Sequence, residues 1–207
     1  AMDVSLAEYE LLINYFNSPF QDLFFIELEK AEFLQDNERL LKLCEEVDGA
    51  SMMLMSLITK SKITSLSSCE VKKILEHLKT APVWGYFELS LLQSILEGIE
   101  IKDARDIFSD IEKKVYKYQN VFKYRRKILL IALHYVLILC TEGEKEFAQQ
   151  ILTKINKVEQ QEFDFFISCL QKLVASFMEY KFDNKKSGLE ECFVSLNYIE
   201  VLGNAKL

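Results

Sequence analysis

The sequence predicts an all-α chain of antiparallel helix pairs stacked one on another, and three observations carry that expectation. Apolar residues recur at i, i+3, i+4 and i+7 almost throughout, the spacing that gathers them on one face of a helix. Only two Pro and six Gly interrupt the 207 residues, so the segments between breaks run to ordinary helix lengths. Alternating β-branched runs, which would mark strands, are scarce.

The first stripe is Leu6, Tyr9, Ile13 and Phe16, with Ser5 and Glu8 in capping-box spacing, and it is ended by "NSP" at 17–19. A Phe-rich segment, "FQDLFFIELEKAEFL", follows, then Leu40, Leu43 and Val47 up to "DG", then the short apolar "MMLMSLI". "SSCEVKKILEHLK" repeats the capping-box relation with Ser67 and Glu70 and continues with Val71, Ile74, Leu75 and Leu78. After "TAP", the stretch "VWGYFELSLLQSIL" sets Trp84, Phe87, Leu91 and Ile95 on one predicted face. Later stripes are Ala104, Ile107, Ile111 and Val115, followed by Phe147, Ile151, Ile155 and Val158. Two more close the chain: Phe166, Leu170, Leu173 and Phe177, then Leu189, Leu196 and Ile199. Between Gly98 and Gly143 lies a long hydrophobic helix that holds His134.

"DARDIF" at 103–108 and "KEFAQQIL" at 145–152 place Ala104 and Ala148 at comparable points near helix starts. Small residues there let helices cross closely, as in TPR-like repeat superhelices. No linker divides the chain, so a single helical-repeat domain over residues 3–207 is expected, with Ala1 before Met2 as a cloning remnant.

Half of the residues are apolar and 28% are charged, which supports a sizeable core. The formal charge of -7 opposes unspecific attraction to nucleic acid or anionic membrane. Cys44, Cys69, Cys140, Cys169 and Cys192 form no CxxC and sit mostly in apolar helical patterns, as reduced thiols of a cytoplasmic protein would. "ILLIALHYVLILC" is too short to span a bilayer. The two histidines, His77 and His134, belong to no HExxH, and no Walker loop, GxGxxG or GxSxG occurs. The chain therefore reads as a non-enzyme without metal or cofactor, with His77 on a polar helix side and His134 in core or groove.

Two features leave alternatives open. Glu88, one turn beyond Trp84, is a structural carboxylate with a partner, a ligand-facing group, or an acid raised by desolvation. The basic run "KKVYKYQNVFKYRRK", Lys113 to Lys127, is a solvated flank, a nucleic-acid surface, or an Arg fork for a peptide carboxylate.

"VWGYFELSLLQSIL", the Tyr-containing basic helix after it and "KEFAQQILTKI" resemble the regulatory domain of the Rgg/GadR/MutR transcriptional regulators. Against the family pattern W-G-x-x-E-L-x-L-F-x-N the chain has Trp84, Gly85, Glu88, Leu89 and Leu91, with Leu92 for Phe and Ser94 for Asn. Arg125 and Arg126 match the Arg of the later groove helix, and His134 falls near its Asn position. An Asn side chain donates and accepts at once; His134 supplies part of that capacity and Ser94 less. The resemblance implies an N-terminal helix-turn-helix domain followed by a helical-repeat domain that dimerises and, in several members, binds a short hydrophobic signalling peptide on its concave face. No helix-turn-helix is evident before the first stripe, so the expectation is the regulatory portion of a longer regulator, with DNA contacted only through that other domain.

The expected peptide groove has Glu88 facing the basic helix of Arg125 and Arg126, with Leu91, Ser94, Tyr124, His134, Tyr135 and Ile138 around it. The expected homodimer interface uses Phe163, Phe166, Leu170 and Phe177, because the last helices carry more apolar surface than one stripe needs. A helical-repeat scaffold for a protein partner, without a role in transcription, is the competing function.

Overall fold

A computed structural model of the chain describes residues 19–45, 50–115, 121–157 and 164–204. The first stripe, Val47, Val158 and Phe163 lie outside the described residues. The fold is all-helical. Among the described residues ten helices follow one another without a strand: α1 (Pro19–Phe33), α2 (Asn37–Glu45), α3 (Ala50–Ser61), α4 (Ser68–Thr80), α5 (Tyr86–Ile95), α6 (Ile101–Val115), α7 (Phe122–Glu142), α8 (Lys145–Lys157), α9 (Phe165–Asp183) and α10 (Lys186–Asn204). The chain divides into two compact units, Ala1–Tyr124 and Arg125–Leu207.

Local chemistry sets the helix ends. Pro19 opens α1, a position where the missing N–H costs nothing. Asp36 accepts the backbone N–H of Arg39 at 2.9 Å and so caps α2. At α4 the expected capping box is made: the Ser67 hydroxyl accepts from Glu70 N–H, and the Glu70 carboxylate accepts from Ser67 N–H at 2.8 Å. Lys60 donates to the other Glu70 oxygen at 2.7 Å and ties α3 to this cap.

In the first unit α1 packs on α2, α2 on α3, and both α3 and α4 on α5. The predicted face Val71, Ile74, Leu75 and Leu78 of α4 is buried. Trp84 differs from expectation, because it precedes α5 instead of sharing its face. Its backbone N–H donates to the Lys114 carbonyl at 2.9 Å and its indole N–H to the Leu78 carbonyl at 3.1 Å. Lys114 in turn donates to Leu78 O at 2.7 Å and lies over the Trp84 ring. A buried indole needs such a partner, and here it links the ends of α4 and α6.

In the second unit α9 and α10 form a close antiparallel pair joined through Asn184, whose φ of 53° is left-handed. Among the described side chains of α10, the buried positions are Gly188, Cys192 and Ser195. A Cβ on Gly188 would meet the Ser176 carbonyl at 2.7 Å, so the crossing requires glycine. The buried face of α9 is Ile167, Cys169, Val174, Ser176 and Met178. The expected stripe Phe166, Leu170, Leu173 and Phe177 is half-buried beside it. Ala104 and Ala148 are both fully buried, each in its own unit, as their size anticipated.

Candidate functional site

Glu88 sits in the first turn of α5. Its Oε2 accepts the Gly85 backbone N–H at 2.8 Å, and its Oε1 lies 3.5 Å from Nε2 of His77 on α4. Gly85 has no side chain to return the bond, so only one arm of a capping box is made. His77 stacks edge-on to Phe87, and its Nε2 is enclosed without a hydrogen-bond partner. His77 keeps the expected polar side of α4, its side chain one-third exposed, but turns its Nε2 toward the start of α5. Glu88 has a structural partner within its own unit.

The remaining first-unit candidates divide by exposure. Leu91 is fully buried and is core, not a groove wall. The Ser94 hydroxyl donates to the Leu91 carbonyl at 2.7 Å. Tyr124 meets Tyr86 edge-on, and Tyr86 donates to Glu29 at 2.7 Å while Lys123 covers its ring at 4.1 Å.

In the second unit Arg125 and Tyr135 are buried, so neither offers a ligand surface as it stands. Arg126 is exposed on α7; its Nε donates to Asp164 at 2.8 Å, and its guanidinium lies over Phe166. The same Asp164 caps α9 by accepting from Ile167 N–H at 3.1 Å. Much of the basic run is thus engaged in fold contacts: Lys113 with Asp110, Lys114 at the end of α4, Lys123 on Tyr86 and Arg126 on Asp164.

His134 and Ile138 do come together, on the wall of an open cavity of about 530 Å³. α7 contributes His134, Leu137, Ile138 and Thr141. α9 supplies Leu173 and Phe177. Leu189, Cys192, Phe193 and Leu196 of α10 complete it. Sequence reasoning misses the α10 wall; the signal is present in Leu189 and Leu196, whose spacing reads as a core stripe. Of the expected dimer residues, Phe177 belongs to this cavity, Phe166 lies under Arg126, and Leu170 is half-buried. Val194, Tyr198 and Val201 form a second exposed apolar surface on α10, the last 67% exposed, with Phe165 edge-on to Tyr198.

Among the described residues no group of three His, Cys, Asp or Glu is placed to hold a metal ion, and no helix is long and apolar enough to cross a membrane. Burial pushes the Cys140 thiol up to about 11, which keeps it protonated and unreactive.

The described residues thus form packed helix pairs, with an open apolar cavity in the second unit. The family model of the HTH-type transcriptional regulator Rgg, C-terminal domain, matches residues 27–207, and the chain belongs to that family. Its fold is similar to that of the SHP pheromone receptor Rgg2 of Streptococcus dysgalactiae. One crystal structure of that receptor gives a TM-score of 0.75 at 18% identity, covering 97% of this chain and 74% of the receptor. A cysteine-to-serine form gives a TM-score of 0.77 at 16% identity over the same shares. A Listeria monocytogenes EGD-e protein matches with a TM-score of 0.74 at 15% identity, covering 96% of this chain and 73% of that one. Family and neighbours are regulators or pheromone receptors, not enzymes.

Proposed function

We propose that this domain is the ligand-sensing and dimerising part of a cytoplasmic transcriptional regulator, and that its ligand is a short hydrophobic peptide. The observation that carries the reading is the Rgg C-terminal family match across residues 27–207. The fold neighbours named as pheromone receptors support the choice of ligand class. DNA is reached through a separate helix-turn-helix domain.

Within the second unit, helical spacing puts Arg126, Leu130, His134 and Ile138 on a stripe of α7 that keeps exposed or half-exposed surface. A peptide along that stripe would meet Arg126 as a donor fork for a carboxylate or carbonyl. The homodimer would cover the face of Val194, Tyr198 and Val201. Calorimetric titration with short synthetic hydrophobic peptides tests the sensing role, and absence of saturable heat for every peptide defeats it. Sedimentation tests the dimer: Val194→Glu with Val201→Glu should convert a dimer at tens of micromolar to monomer, and a wild-type monomer there defeats that part.

A further inference from the structure

We propose that the peptide ligand lies along α7 in one direction, its C-terminal carboxylate at Arg126 and a large apolar side chain, about five residues before that terminus, in the cavity between α7, α9 and α10. This rests on the peptide reading above and adds to it the direction of the peptide and the place of its anchor.

The direction follows from the charges along α7. Arg126 and Lys127 stand in its first half, no Asp, Glu, Lys or Arg occurs from Ile128 to Thr141, and Glu142 ends the helix. Helical spacing keeps Arg126, Leu130, Leu137 and Thr141 on one side, so the cationic end and the cavity wall share a surface. Asp164 meets Nε of Arg126 at 2.8 Å, and the guanidinium has no further carboxylate or carbonyl partner among the described residues. Its Nη groups are therefore available to an acceptor, and a carboxylate gains most from such donors. At the cavity end the same carboxylate would meet the repulsion of Glu142.

The anchor follows from the shape of the cavity. Its α7 wall runs from His134 to Thr141, facing Leu173 and Phe177 of α9 and Phe193 of α10. The mouth is open and His134 is exposed, so a peptide main chain stays hydrated there and only side chains enter. Apolar walls around about 530 Å³ suit Phe, Trp or Leu. From Arg126 to Leu137, in the middle of that wall, α7 rises roughly 17 Å, and an extended peptide covers this distance in about five residues.

The test is calorimetric titration of the full chain with short peptides of alternating Ser and Val that end in a free carboxylate. One Phe is moved along them position by position. Affinity should peak with Phe about five residues before the terminus, at least tenfold above the peptide with Phe next to it. Amidating the C-terminus of the best peptide should weaken it at least tenfold in the wild type and change little in Arg126→Ala. Phe193 is 59% exposed, so Phe193→Glu should fold with Tm unchanged while charging the cavity mouth, and it should remove the advantage of the well-placed Phe. No saturable binding by any peptide would overturn both this proposal and the peptide reading. Saturable binding that is indifferent to the position of Phe, or to terminal amidation, would overturn this proposal alone. So would an amidation loss as large in Arg126→Ala as in the wild type, or a Phe advantage undiminished in Phe193→Glu.

Discussion

Glu88 holds the backbone N–H of Gly85 at 2.8 Å and places its second oxygen 3.5 Å from the enclosed Nε2 of His77. One carboxylate thus caps α5 and faces α4. Glu88→Gln keeps an oxygen for Gly85 and should change stability little, whereas Glu88→Ala should lose about 1 kcal/mol. Urea denaturation of the two variants distinguishes them. Equal, large losses in both would show that the negative charge beside His77, not the cap, matters.

Gly188 is the contact point of the α9–α10 pair. Gly188→Ala puts a methyl group into the Ser176 carbonyl and the Tyr180 backbone, at 2.7 and 2.9 Å. The helices must separate, and the cost should be about 1–3 kcal/mol despite the better helix propensity of alanine. Thermal denaturation of the second unit's signal reads it; an unchanged or higher Tm would contradict the crossing.

The cap at Glu70 makes part of the stability pH-dependent. The Lys60 ammonium, then the Ser67 N–H and hydroxyl, hold the Glu70 carboxyl down from 4.5 to about 2. Because the folded value is depressed, this contribution is present in full above about pH 4.5 and fades as pH falls through about 2. The stability difference between wild type and Glu70→Gln should therefore shrink on acidification across that window, measured by urea titration. A difference that stays constant down to pH 2 would sink the assignment. Removing the other arm with Ser67→Ala should cost about 1 kcal/mol at neutral pH.

Most helices are legible in the sequence because the stripes Val71–Leu78 and Phe147–Ile155 really are buried faces. The α9–α10 pair is not, for a physical reason. Close-packed helices put small residues at their seam, here Gly188, Cys192 and Ser195, and push large apolar ones to the flanks. A search for large apolar stripes therefore finds the flanks: Leu173 and Phe177 on α9, Leu189 and Leu196 on α10. Those flanks build the cavity. Spacing misplaces Trp84 for a related reason, since a buried indole satisfied by Leu78 looks like a helix-face residue when only spacing is visible. The sequence marks Glu88 as an acid needing a partner, but spacing alone does not identify Gly85 and His77 as its partners.

Arg126 gives the most direct measurement of peptide sensing. Its bond to Asp164 is partly exposed, 44% on the Arg side and 14% on the Asp side, so Arg126→Ala should cost stability on the order of 1 kcal/mol or less. Fluorescence polarisation with labelled short hydrophobic peptides should show saturable binding to the wild-type domain. Arg126→Ala should weaken the best of them at least tenfold, about 1.4 kcal/mol, with the helical circular-dichroism signal intact. Saturable binding that is identical in Arg126→Ala, or no binding by any peptide to a folded wild-type domain, would contradict it.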